Sequence, residues 1–123
     1  MVSGNDRNRP LPNKVNTTTL VKLFTLHFLS TKSCYGNELI DNIESSLGYQ
    51  WKPSPGMMYP LLRKMEEDLL IEGWWLEPDK KTKRLYKITD TGLKHYDKLK
   101  LLYKPQLEES LTIIQSTLSI IYK

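Results

Sequence analysis

The sequence predicts a mainly α-helical domain with one small β-hairpin and a further helix at its C-terminal end. Three observations predict it. Apolar residues recur at helical spacing in three successive segments between residues 17 and 69; two short apolar, aromatic and β-branched runs follow, at 69–76 and 84–88; and a last long helical pattern begins at Thr89. With 123 residues, 39% hydrophobic and 26% charged, the chain has the size and composition of one globular domain and is too apolar to be wholly disordered. No apolar run approaches the roughly 18 residues of a membrane-spanning helix, and the first 20 residues lack a secretory hydrophobic core. The single cysteine, Cys34, has no partner for an internal disulfide and cannot make a thiolate-rich metal site. The expectation is a soluble cytoplasmic protein with no cofactor and no membrane partner.

Residues 1–14 combine Gly, Pro, Asn and charge with little apolar content and read as a flexible leader. The first helix is expected over 17–30, with Asn16 or Thr17 as cap and Leu20, Leu23, Phe24, His27 and Phe28 on its apolar stripe, widened by Leu26 and Leu29. The second, over 35–47, repeats Tyr35, Leu39, Ile43 and Leu47 with Ile40 beside them, and Gly48 follows where a left-handed helix end favours glycine. Ser54 before Pro55 is a strong start signal for the third helix: a hydroxyl caps the free amides, and proline at the first position loses no hydrogen bond. That helix is expected over 55–69, with Met58, Leu61, Leu62, Met65 and Leu69 inward and Gly56, Met57, Tyr59, Arg63, Lys64 and Glu67 on its other face. Thr89 and Asp90 open the last helix, whose stripe is Tyr96, Leu99, Leu102 and Tyr103. Pro105 is expected to end or kink it and to open a further stretch. There Leu107, Leu111, Ile114, Leu118 and Ile121 alternate steps of four and three, the seam spacing of a coiled coil, which suggests packing against a partner helix.

Charge is concentrated in one place. Residues 79–87 hold Lys80, Lys81, Lys83, Arg84 and Lys87 against one carboxylate, and so account for the whole net charge of +4. Such a segment is what a polyanion would feel, because Lys and Arg displace condensed counterions from phosphates; it is equally what a solvated, lysine-rich loop looks like. Three helices followed by a hairpin with a cationic tip describe a winged helix-turn-helix, in which the third helix enters the major groove of DNA and the hairpin reaches phosphates. An enzyme is not expected: there is no phosphate-binding glycine loop and no serine or cysteine triad, and the carboxylates lie on polar helix faces away from histidine. His27, Cys34, Trp51, Trp74 and Trp75 read first as packing residues.

Tyr35-Gly36, the run Trp-Lys-Pro-Ser-Pro-Gly-Met-Met-Tyr-Pro-Leu-Leu-Arg-Lys-Met-Glu over 51–66 and the run Arg-Leu-Tyr-Lys-Ile-Thr-Asp-Thr-Gly over 84–92 resemble the PadR family of transcriptional regulators, over about residues 20–100. The resemblance implies a dimeric winged-helix repressor that binds double-stranded DNA and is released by a small hydrophobic effector. Carried over by position, it puts Ser54, Gly56, Met57, Tyr59, Arg63 and Lys64 on the recognition helix and Lys80, Lys81, Lys83 and Arg84 on the wing, with Tyr35 and Lys52 as flanks. Met57 stands where the family often has threonine, and Leu69 replaces a glycine usual after the third helix. Tyr103 falls where drug-binding relatives place an aromatic residue, so Tyr96, Leu99 and Tyr103 are the candidate effector pocket, although that seam is first of all a packing surface. The chain then divides into a leader (1–14), a winged-helix DNA-binding domain (15–89) and a helical dimerisation segment (90–123) held by Leu107, Leu111, Ile114, Leu118 and Ile121. The rival reading is a winged helix that binds another protein and never touches DNA.

Overall fold

The computed structural model describes residues 16–77, 79 and 83–123. The expected leader, and Lys80 and Lys81 at the wing tip, lie outside the described residues. The elements run α1 (Thr17–Leu29), β1 (Cys34–Tyr35), α2 (Gly36–Ser46), α3 (Pro55–Glu67), β2 (Ile71–Trp75), β3 (Arg84–Ile88) and α4 (Asp90–Ile121). The strands form one antiparallel sheet in the order β1-β3-β2. This is the expected class: mainly helical, with a small sheet built on the hairpin.

Asn16 caps α1, its Oδ1 accepting from the Thr19 amide at 2.8 Å. The face that enters the core is Val21, Thr25, Leu26 and Leu29, a correction to the expected stripe. Leu20, Leu23, Phe24 and Phe28 are only half-buried, and His27 is exposed with its Nδ1 2.7 Å from the Tyr96 hydroxyl. The helix is apolar nearly all round, so periodicity does not single out a face. A threonine can sit in the core because the Thr25 hydroxyl donates to the Val21 carbonyl at 2.8 Å.

Tyr35, expected to open the second helix, instead joins Cys34 ahead of it. They form a two-residue strand in which Cys34 pairs with Tyr86 and Tyr35 with Leu85, and α2 starts one residue later. Burial pushes the Cys34 thiol up, with the nearby Glu38 charge adding to it, so the cysteine is an inert packed group. Leu39, Ile40 and Ile43 carry α2 into the core, and Gly48 ends it at φ 65°.

Ser54 caps α3, its Oγ accepting from the Met57 amide at 3.2 Å, and Met58, Leu62 and Met65 point inward. Leu69 does not. It lies beyond the helix, 69% exposed, with φ 62° in the left-handed region. The turn that swings the chain into β2 demands that conformation, and the side chain is carried outward with it. β2 and β3 then pair from Ile71 with Ile88 to Trp75 with Arg84.

Thr89 closes the wing onto the helices. Its amide donates to the Leu70 carbonyl at 3.1 Å, while its hydroxyl donates to the Leu69 carbonyl at 2.6 Å and accepts from the Gly92 amide at 2.9 Å, opening α4. Pro105 neither ends this helix nor opens another: α4 is continuous for 32 residues. The missing amide leaves only the Leu101 carbonyl without its helical donor, on a residue 80% exposed to water. Tyr96 and Leu99 are the large apolar side chains of α4 that reach the core. From Leu107 onward the helix extends beyond it.

Candidate nucleic-acid interface

Two elements and the start of a third build one concave surface. The exposed face of α3, the hairpin and the first turn of α2 enclose an open groove of about 810 Å³, lined by Tyr35, Gly36, Asn37, Tyr59, Arg63, Glu66, Glu67, Trp75, Lys83, Arg84 and Tyr86. Of the residues expected to meet DNA, this groove gathers Tyr35, Tyr59, Arg63, Lys83 and Arg84. Ser54, Gly56 and Lys64 are exposed on or beside α3 but outside it, Met57 is half-buried against the core, and Lys52 lies on the loop leading into α3.

The groove's floor depends on Gly36. A Cβ there would come within 2.6 Å of the Tyr59 ring, so glycine lets this α3 tyrosine lie across the start of α2. Beside it the Tyr35 amide donates to Glu38 Oε1 at 2.8 Å, satisfying one of the free donors at the helix start. The Lys83 ammonium lies 5.7 Å from the centre of the Tyr35 ring.

The cations differ in their freedom. Arg63 is exposed and carries no ion pair among the described residues. Lys64 pairs with Asp68 one turn along at 3.2 Å, an exposed contact of little energetic consequence. Arg84 is engaged: its Nε donates to Glu66 Oε1 at 3.2 Å and its Nη2 to Glu66 Oε2 at 2.7 Å. That bond and charge pair raise the guanidinium pKa further above its ordinary value. Trp75 stacks on Arg84, its ring centre 5.2 Å from the guanidinium carbon.

Gly36, Asn37, Glu66, Glu67, Trp75 and Tyr86 also line the groove and were not expected there. Gly36, Glu66 and Tyr86 fall within the runs that carry the family resemblance, but only as part of those runs. Glu66 acquires its role from a partner 18 residues away, which no local pattern announces.

The effector candidates lie elsewhere. Tyr96 and Leu99 are buried, Tyr96 beneath the Lys100 ammonium at 4.4 Å and bonded to His27, and Tyr103 is half-buried on the same helix. No helix among the described residues is long and apolar enough to cross a membrane.

Three helices, a short third strand and a two-stranded wing define a winged helix-turn-helix. The chain belongs to the transcriptional regulator PadR-like family, whose model matches residues 25–98. No curated protein matches it. Among solved structures it is similar to a PadR-like transcriptional regulator from Bacillus cereus, at 28% identity and a TM-score of 0.62, covering 78% of this chain and 92% of that one. A transcriptional regulator from Thermoplasma acidophilum is similar at 26% identity and a TM-score of 0.63, covering 83% and 93%. PadR of Bacillus subtilis, solved in complex with operator DNA, shares the fold at 21% identity and a TM-score of 0.57, covering 68% of this chain and 46% of that one.

Proposed function

We propose that this regulator binds double-stranded DNA as a cytoplasmic homodimer, α3 entering the major groove and the wing lying along the phosphates. The observation that supports this best is the shared groove: Arg63 from α3 and Lys83 from the wing flank one concave surface and are both exposed. A nucleic-acid backbone laid there meets cations from two elements. Ser54, Gly56, Met57, Tyr59, Arg63 and Lys64 are the edge offered to the bases, with Met57 contributing least surface. Lys80, Lys81 and Lys83 serve the phosphates, with Tyr35 and Lys52 at the flanks. That a protein of the same fold has been solved on its operator agrees with this reading.

The dimer is assigned to α4. Leu107, Leu111, Ile114, Leu118 and Ile121 are between 38% and 65% exposed, a contiguous apolar ridge that a second copy would cover. A two-fold protein calls for a two-fold operator. The regulator acts as a repressor, and a small hydrophobic effector would reach it at Tyr103, which borders the ridge one turn before Leu107. Tyr96 and Leu99 would contact such a molecule only if α4 moved away from α1.

Salt titration of duplex binding tests the DNA assignment. The logarithm of affinity should fall against the logarithm of salt with a slope of about −0.9 per phosphate neutralised, and replacing Lys80, Lys81 and Lys83 together by alanine should flatten it by about two to three units. An unchanged slope removes the wing from the interface. No binding at low salt favours a winged helix that recognises protein.

A further inference from the structure

Resting on the DNA-binding reading, we infer that Glu66 and Arg84 form a clamp that fixes the wing against the recognition helix. Arg84 then acts as a positioning residue and is not a phosphate contact. Among the described residues this is the ion pair that joins α3 to the hairpin. Lys64–Asp68 stays within the helix end, and Lys87–Glu72 stays within the hairpin at 3.5 Å with both side chains more than half exposed. The Glu66–Arg84 pair is two-pronged and only about a quarter exposed on either side, at 24% and 26%. Both carboxylate oxygens accept from the fork, a geometry that restricts rotation as well as distance.

The surroundings are shaped to hold that fork. Its guanidinium carbon lies 5.2 Å from the Trp75 ring centre and 5.8 Å from that of Tyr86. Opposite, β2 carries Gly73, where a Cβ would stand 2.7 Å from Arg84 Nε and 2.9 Å from the Tyr86 ring. Any side chain at 73 would push the arginine off its line to α3. Glycine in the middle of a strand weakens it, and here the close approach of the arginine accounts for it.

The clamp matters because a DNA duplex presents its bases and its phosphates at fixed separation. A wing held at one angle meets both without first losing conformational freedom, whereas a loose wing must be ordered on binding. The alternative, that these two groups act only through charge, predicts the opposite sign. Glu66 faces the groove a polyanion would occupy, so neutralising it, and freeing Arg84, should tighten binding if charge alone counted.

Glu66→Gln and Arg84→Lys decide between them. In the free protein, amide hydrogen exchange across β2 and β3 should quicken about tenfold or more in both variants while core amides of α2 and α3 keep their protection. With a site enriched from random DNA by the wild-type protein, both variants should bind that site about five- to twentyfold more weakly, yet bind unrelated duplex as well as before and with an unchanged salt slope. Unaltered wing exchange, or a Glu66→Gln variant that binds the enriched site as tightly as wild type or tighter, overturns the clamp. Arg84→Lys retaining full affinity would restore Arg84 as a simple cationic contact. A wild-type protein that enriches no DNA overturns the DNA-binding reading instead, and the exchange measurement, which needs no DNA, still shows whether the pair restrains the wing.

Discussion

Leu69 shows how far one side chain can depart from its pattern. Its spacing continues the apolar stripe of α3, yet its φ of 62° and its 69% exposure put it in a conformation that branched and bulky residues avoid. Nothing in a period of three and four residues marks where a helix stops being a helix. The physical constraint is the turn from α3 into β2, which fixes the backbone first and leaves the side chain to follow. Because little apolar surface is buried there, Leu69→Gly should raise stability by about 0.5–1 kcal/mol, as relief of left-handed strain outweighs the extra chain entropy of glycine. Urea denaturation at fixed protein concentration measures this; a loss of stability would mean that Leu69 is covered by a partner. Arg84 and Glu66 teach the same lesson for the site. Each reads locally as a surface charge, and only folding brings them within 2.7 Å.

At the scale of elements, the sequence was legible wherever the start signal was chemical and the apolar face narrow. Ser54 with Pro55, and Thr89 with Asp90, mark helix starts that the structure reproduces at their caps. Elsewhere tertiary partners decided the outcome. The face α1 turns inward is chosen by α2, α3, β3 and α4 packing around it, and β1 exists only because β3 offers it an edge. Pro105 is tolerated because the carbonyl it leaves without a donor belongs to an exposed residue. The result is a single α4 in which residues 107–121, about 22 Å of helix at 1.5 Å per residue, project an apolar ridge past the core. Leu111→Glu would place a charge in the middle of that ridge, where burial without a partner is costly. Sedimentation should show a dimer for the wild-type protein and a monomer for this variant at the same micromolar concentration. A variant that still sediments as a dimer removes the ridge from the interface.

For the molecule as a whole, position matters more than amount of charge. A net charge of +4 is modest, and two cations of the segment that carries it, Lys83 and Arg84, line the groove beside the exposed face of α3. The groove itself contains carboxylates as well as cations, so it is not a uniformly positive trough. Its order comes from Glu66 being tied to Arg84 and from Arg63 and Lys83 remaining available. If α4 joins two such molecules about a two-fold axis, the pair presents two recognition helices and two wings to one side of a duplex, and the half-sites fall one helical turn apart, about 10 base pairs. Selection of bound sequences from a random DNA pool tests this most directly. An inverted repeat with half-sites at that spacing should be enriched, and the enrichment should be lost in the Leu111→Glu variant. Failure of the wild-type protein to enrich any sequence, or enrichment of a site with no two-fold symmetry, would contradict it.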